Sequence, residues 1–124
     1  MKSLITVLFF LACFTFQDTS EYLFGTWECY HKELEDGTTT NVDPFSGKEF
    51  EYSCEGITLK LNSDATGIDG TGIKFNYQKK DSILTLGTRK YIIEKLTNTR
   101  MVLREYDPRG MSFKNFRTKF KKQD

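Results

Sequence analysis

The sequence has few of the residues that chemistry usually needs. It contains a single histidine, His31, and a single tryptophan, Trp27. A lone histidine near a strand end is ordinarily a surface or satisfied polar residue, so no histidine-based metal or proton-relay site is expected. No Gly-x-Ser-x-Gly elbow, Walker-type phosphate loop, Cys-x-x-Cys pair or His-Glu-x-x-His helix occurs. The carboxylates are scattered. Asp64 and Asp69 fall in turn sequences, where Asp serves backbone geometry, and a calcium loop would need more oxygen ligands at ordered spacing. Cys29 has no base placed beside it by sequence. The expectation is therefore a protein that is not an enzyme and that carries no metal or cofactor. Strong charge is missing too: the formal net charge is +1. A basic, aromatic C-terminal stretch superficially suits single-stranded nucleic acid, but the near-neutral charge of the whole argues against nucleic acid as a partner. There is no internal repeat, no low-complexity segment and no sustained helical period.

One apolar run is present, at residues 4–14, preceded by Lys2. It is short for a bilayer span and matches the charged and apolar regions of an export signal, so residues 1–17 are read as a signal peptide and residues 18–124 as the folded domain. Polar residues begin at once, with Gln17-Asp18-Thr19-Ser20. Two processing readings stand. Leu11-Ala12-Cys13 resembles a lipobox, which would lipidate Cys13 and anchor the protein to a membrane. Phe10 and Phe14 are bulky flanks for that motif, and ordinary cleavage near Phe16 or Gln17 would release a free protein. Either route leads outside the cytoplasm, to the periplasm, the outer membrane or the medium. There Cys29 and Cys54 form an even pair for which a disulfide is expected. It would close a loop of roughly 25 residues and stabilise by about 3 kcal/mol on the entropy model.

Short β-type runs punctuated by turn signals fill the remainder. Asp36-Gly37 is a hairpin signal. Ile57, Leu59 and Leu61 alternate with polar residues, as do Ile73, Phe75 and Tyr77. Residues 62–67 and 69–72 read as turns. Further runs at 83–86, 91–96 and 101–106 precede a turn at Asp107-Pro108-Arg109-Gly110. In the tail, Phe113, Phe116 and Phe120 have helical spacing, yet Phe116, Thr118 and Phe120 also alternate with Arg117, Lys119 and Lys121. The strand is preferred, because a closing strand is needed to pair with the first. The total is about eight strands joined by tight turns, an all-β antiparallel meander best closed into a small up-and-down barrel. A two-sheet sandwich is the alternative.

The order of these pieces carries a resemblance. Phe24-Gly25-Thr26-Trp27 on the first strand resembles the Gly-x-Trp start of lipocalins and the wider calycins. The stretch at residues 57–67, followed by the runs near 83, 91 and 101, is similar to small exported bacterial lipocalin-like domain proteins. An avidin-like barrel also opens on Gly-Thr-Trp but carries further tryptophans. The lipocalin resemblance implies that Gly25 permits close approach at the barrel entry and that Trp27 plugs one end. It also implies that a basic residue of the last strand packs across the indole. Arg117 is the nearest match and Arg104 the alternative. It implies a small hydrophobic ligand as partner, with Leu59, Phe75, Tyr77, Leu86 and Ile93 as candidate lining residues. The competing expectation is a barrel filled by its own side chains. That protein would act on an envelope or protein partner through its outer face, perhaps the basic last strand. A monomer is expected in either case.

Overall fold

The computed structural model describes residues 20–106 and 115–123. The leader with Cys13, the turn at Asp107-Pro108-Arg109-Gly110, and Phe113 lie outside the described residues. The elements run α1 (Ser20–Leu23), β1 (Gly25–Leu34), β2 (Thr40–Val42), β3 (Glu49–Glu51), β4 (Thr58–Leu61), β5 (Thr66–Asp69), β6 (Lys74–Lys80), β7 (Ile83–Leu86), β8 (Arg89–Leu96), β9 (Arg100–Glu105) and β10 (Phe116–Gln123).

Eight strands form a closed antiparallel barrel in the order β1-β10-β9-β8-β7-β6-β5-β4, with β4 returning to β1. Consecutive strands from β4 to β10 pair antiparallel, so the barrel is an up-and-down meander whose closure removes its sheet edges. Alternation decides what faces inward. Met101 and Leu103 of β9, Leu59 and Leu61 of β4, Leu84 of β7 and Phe120 of β10 are buried in one core with Leu23, Trp27 and Tyr77.

The barrel has the expected number of strands, but its membership differs from the sequence reading. Residues 66–69, read as parts of two turns, form β5. The Ala65-Thr66-Gly67 stretch carries no apolar alternation, and its strand character comes from pairing with β4 and β6 on both sides. The run near residue 50 lies outside the barrel and pairs with β2 in a separate hairpin within the β1–β4 connection. Gly67 marks the tightest spot in β5. A Cβ there would lie 2.7 Å from the Phe75 ring and 2.8 Å from the Lys60 carbonyl oxygen, so only glycine lets these strands close.

Two irregularities shape the first strand. Its register against β10 shifts between Cys29 and His31, a β-bulge that reverses the inward and outward faces beyond it. Just before that shift, Cys29 is bonded to Cys54 in a disulfide with Cα atoms 5.4 Å apart. The long β1–β4 excursion is thereby tied to the barrel wall.

Candidate functional site

The antiparallel order defines two ends. At one lie the start of β1 and the end of β10; at the other lie the end of β1 and the starts of β4 and β10.

The first end is sealed. Leu23 and Trp27 are both fully buried, and the single turn of α1 closes over the barrel. The last carbonyls of a helical turn lack internal partners, and the plug supplies them. Trp27 Nε1–H donates to the Leu23 carbonyl at 2.8 Å, and Lys122 Nζ donates to the Tyr22 carbonyl at 2.9 Å. Lys122 stands directly opposite Trp27 in the β1–β10 register, and its ammonium lies 4.8 Å from the indole centroid. Burial lowers the Lys122 pKa from its ordinary value. Gly25 completes the arrangement. Its φ is +134°, and a Cβ there would meet the Lys122 side chain at 3.2 Å.

The basic residue across Trp27 is thus Lys122, which corrects both Arg117 and Arg104. Those two arginines point to the opposite face of the wall because they occupy the other phase of their strands. Outside, they form an ionic girdle across β1, β10, β9 and β8. Arg117 binds Glu94 through Nε and Glu33 through Nη1 at 3.3 Å. Arg104 reaches Glu94 at 3.2 Å and Glu35 at 3.7 Å. Lys119 and His31 each meet Glu33 Oε1 at 3.1 Å. Burial works to raise the Glu33 carboxyl, but the Lys119 hydrogen bond and the surrounding cations outweigh it and hold the pKa below its usual value. The hydrogen bond from Arg117 does the same for Glu94.

The second end is open. A cavity of about 320 Å³ enters the barrel there. Leu59, Leu86, Leu103 and Phe120 supply much of its apolar surface, and Lys32, Asp69, Arg89, Tyr91, Glu105, Phe116 and Thr118 are among the other wall residues. Two acids of this lining are occupied by local hydrogen bonds. Asp69 Oδ1 accepts from Thr71 N at 2.9 Å, Thr71 Oγ1 at 2.6 Å and Ile73 N at 3.0 Å. The Thr71 hydroxyl bond, with the backbone donors, lowers its pKa. Glu105 Oε1 accepts from Phe116 N at 2.8 Å.

The β2–β3 excursion is attached beside this opening. The Tyr52 ring meets the Phe116 ring edge-on at 4.9 Å, and Phe50 meets Tyr52 at 6.2 Å. At the tip of the excursion, Phe45 is 99% exposed.

Among the candidate lining residues, Leu59 and Leu86 are on the cavity wall. Phe75, Tyr77 and Ile93 are not on it: Tyr77 lies in the core, and Phe75 and Ile93, partly buried, pack against the core. Phe75 lies against Gly67, and Tyr77 is anchored toward the sealed end, its hydroxyl donating to the Asn62 carbonyl. No group of three or more His, Cys, Asp or Glu side chains suited to a metal occurs among the described residues. Among them, no helix is long and apolar enough to cross a membrane.

The lining residues that sequence reasoning missed include Lys32, Arg89, Tyr91, Leu103, Glu105, Phe116, Thr118 and Phe120. Most were available from the period of two: Arg89 and Tyr91 share the phase of Ile93, and Phe116, Thr118 and Phe120 share one face of β10. Lys32 was not available, because strict alternation from Trp27 and Cys29 points His31 and Glu33 inward. Only the bulge turns Lys32 to the cavity.

Comparison with protein-family models, with curated proteins and with solved structures found no significant match for this chain.

Proposed function

We propose that the chain is an exported, lipocalin-like binding protein that holds one small, mainly apolar molecule in the open end of its barrel. The observation that carries this reading is the cavity of about 320 Å³, lined in part by Leu59, Leu86, Leu103 and Phe120, at the end opposite the Trp27 plug. That volume is at the small end of the roughly 300–1,000 Å³ range of ligand pockets. The Gly25-Thr26-Trp27 start, a basic side chain over the indole and an up-and-down barrel support the lipocalin-like assignment. The disulfide and the leader sequence support export. The reading is of binding rather than catalysis: the hydroxyl–carboxylate pair on the wall, Thr71 with Asp69, is a turn contact in which the same carboxylate oxygen also accepts two backbone N–H groups.

The test is native mass spectrometry of the mature protein purified gently from its own extracytoplasmic fraction. A small molecule released on denaturation supports the reading and gives the ligand's mass. A bare protein that also fails to take up lipophilic probes overturns it. The same spectrum reads lipidation at Cys13.

A second reading has a different observation behind it. The β2–β3 excursion exposes Val42, Phe45 and Phe50, which suits a partner protein better than the basic last strand does. On that strand Lys119 is paired with Glu33 and Lys122 is turned onto Trp27.

A further inference from the structure

Two surfaces of this chain are uncovered and complementary. The first is the outer side of the β2–β3 excursion. Val42 and Glu49 are register partners, as are Thr40 and Glu51, so these four side chains share one face. The tip beyond them is a hydrogen-bonded turn. The Asp43 carboxylate accepts from Phe45 N at 2.8 Å, and the Asp43 carbonyl accepts from Gly47 N at 2.8 Å. That turn holds the Phe45 ring away from the rest of the chain, 99% exposed. An aromatic ring braced in this way is the kind of side chain that anchors an interface. The charge around it has one sign: residues 35–55 contain Glu35, Asp36, Asp43, Glu49, Glu51 and Glu55 against a single base, Lys48. Glu49 accepts from the Thr40 hydroxyl at 2.8 Å, and Asp43, Glu49 and Glu51 make no ion pair among the described residues.

The second surface is the outer wall at β4, β5 and β6. Lys60, Ile68 and Lys74 form one register row across these strands. They alternate with Leu59, Leu61 and Tyr77 of the core, so they face outward. A groove of about 560 Å³ opens there. Gly67, Ile68 and Phe75 are on its wall with Lys60 and Lys74, and no carboxylate is among its lining residues. Lys60 and Lys74 are exposed and make no hydrogen bond or ion pair among the described residues.

Resting on the reading of the excursion as a docking element for a protein, we propose that its partner is a second copy of this chain. Phe45 of one copy seats in the β4–β6 groove of the next, and Asp43, Glu49 and Glu51 face Lys60 and Lys74 at its rim. Charge selects this occupant. The excursion is acidic, the groove is flanked by cations alone, and every molecule carries both halves of the contact. The same acids repel an anionic membrane or a nucleic acid. The ring supplies affinity, and the charges supply orientation and salt dependence. Because the two surfaces differ, each contact is heterologous, and the assembly closes on itself or runs on as a chain. This departs from the monomer expected from the sequence.

Sedimentation velocity of the mature protein over a concentration series tests the assignment. At about 0.1 M salt the average mass should rise with concentration. Raising the salt to about 1 M shortens the screening length from about 10 Å to about 3 Å and should weaken the association. Phe45→Ser should weaken it about tenfold or more. Glu49→Lys with Glu51→Lys should give a monomer, and so should Lys60→Glu with Lys74→Glu. An equimolar mixture of these two double variants should associate again, because each reversed surface then meets its complement. All five positions are exposed, and recovery on mixing also shows that the variants are folded. A parent protein that stays monomeric at about 1 mM, an association that survives the substitutions, or a mixture that stays monomeric overturns the proposal. The wider reading is tested separately, by presenting immobilised parent and Phe45→Ser proteins to the rest of the extracytoplasmic fraction. A different protein held only by the parent keeps the excursion as a docking element and overturns the second copy as its occupant. If the parent neither associates nor holds such a protein, both fail together.

Discussion

The two ends of this barrel are built from the same strands and differ in how their polar groups are treated. At the sealed end every donor has a target: the Trp27 indole N–H and the Lys122 ammonium meet the carbonyls of Leu23 and Tyr22. At the open end the barrel keeps a cavity whose wall holds Lys32 and Arg89, which make no hydrogen bond or ion pair among the described residues, together with Asp69 and Glu105. Among the described residues no buried side-chain polar atom lacks a partner, so the sealed end is a satisfied structural plug, while the open end keeps its charged groups within reach of solvent beside a cavity. The difference teaches that stability and binding are separated along the barrel axis. Substitutions at the two ends should therefore have opposite profiles.

The largest effect is expected at the plug. Trp27→Ala removes a fully buried side chain, leaves the Leu23 carbonyl without its donor and takes the ring from beneath Lys122. A loss of about 3–5 kcal/mol is expected in denaturant unfolding. For a core of this size that is a large fraction of the whole. A loss below about 1 kcal/mol would erase the distinction between the ends.

Next comes the disulfide. Replacing Cys29 and Cys54 together with Ala frees the β1–β4 excursion from the wall and should lower stability by about 3 kcal/mol. Because the excursion touches Phe116 at the cavity through Tyr52, probe binding should weaken as well. The Trp27→Ala variant, where folded, should bind the same probes normally. Equal binding defects in both would mean that the ends are not independent.

How far this architecture can be read from the sequence follows the same division. The sealed end was largely legible: the resemblance of the Gly-x-Trp start to lipocalins implied a plug, and the alternations Ile57-Leu59-Leu61 and Ile73-Phe75-Tyr77 marked strands with one buried face. The partner of Trp27 was not, because register decides it. Lys122, not Arg117, lies opposite the indole, and register depends on a bulge at Cys29 and His31 that no local residue signals. The open end was harder still. Its lining mixes Lys32, Arg89 and Glu105 with apolar residues, so a search for hydrophobic positions chose Phe75, Tyr77 and Ile93, which lie in the core or pack against it. Strand β5 was hidden for a related reason. Thr66-Gly67-Ile68-Asp69 has turn composition, and only pairing on both sides makes it a strand.

The wall that joins the two ends should respond to pH. Glu33 and Glu94 are held below the ordinary carboxylate range by Lys119 and Arg117. The unfolded chain therefore binds more protons than the folded one as pH falls below that range. The contribution of these groups is complete above the unfolded carboxylate value, near 4.3 for Glu, and is lost as pH drops through their folded values. Glu94→Gln should cost about 1 kcal/mol or less at neutral pH, and its gap to the parent protein should close in acid. Thermal midpoints of both proteins measured from neutral pH downward read this directly. A gap that persists in acid would assign the cost to packing rather than to charge.

The smallest effect on stability, and the sharpest on binding, is expected at Thr118. This residue lies on the cavity wall beside Phe116 and Phe120 and opposite Lys32 in the β1–β10 register. Thr118→Phe projects a ring into the space. In a filled core such a substitution forces strain worth about 1–3 kcal/mol. In a cavity of about 320 Å³ the ring has room, and aromatic residues suit strands, so stability should change by less than about 1 kcal/mol. Octanol uptake should disappear, because the ring occupies the volume the probe needs. The opposite pattern, with strong destabilisation and unchanged uptake, would mean that the open end is packed like the sealed one and that ligands meet this barrel elsewhere.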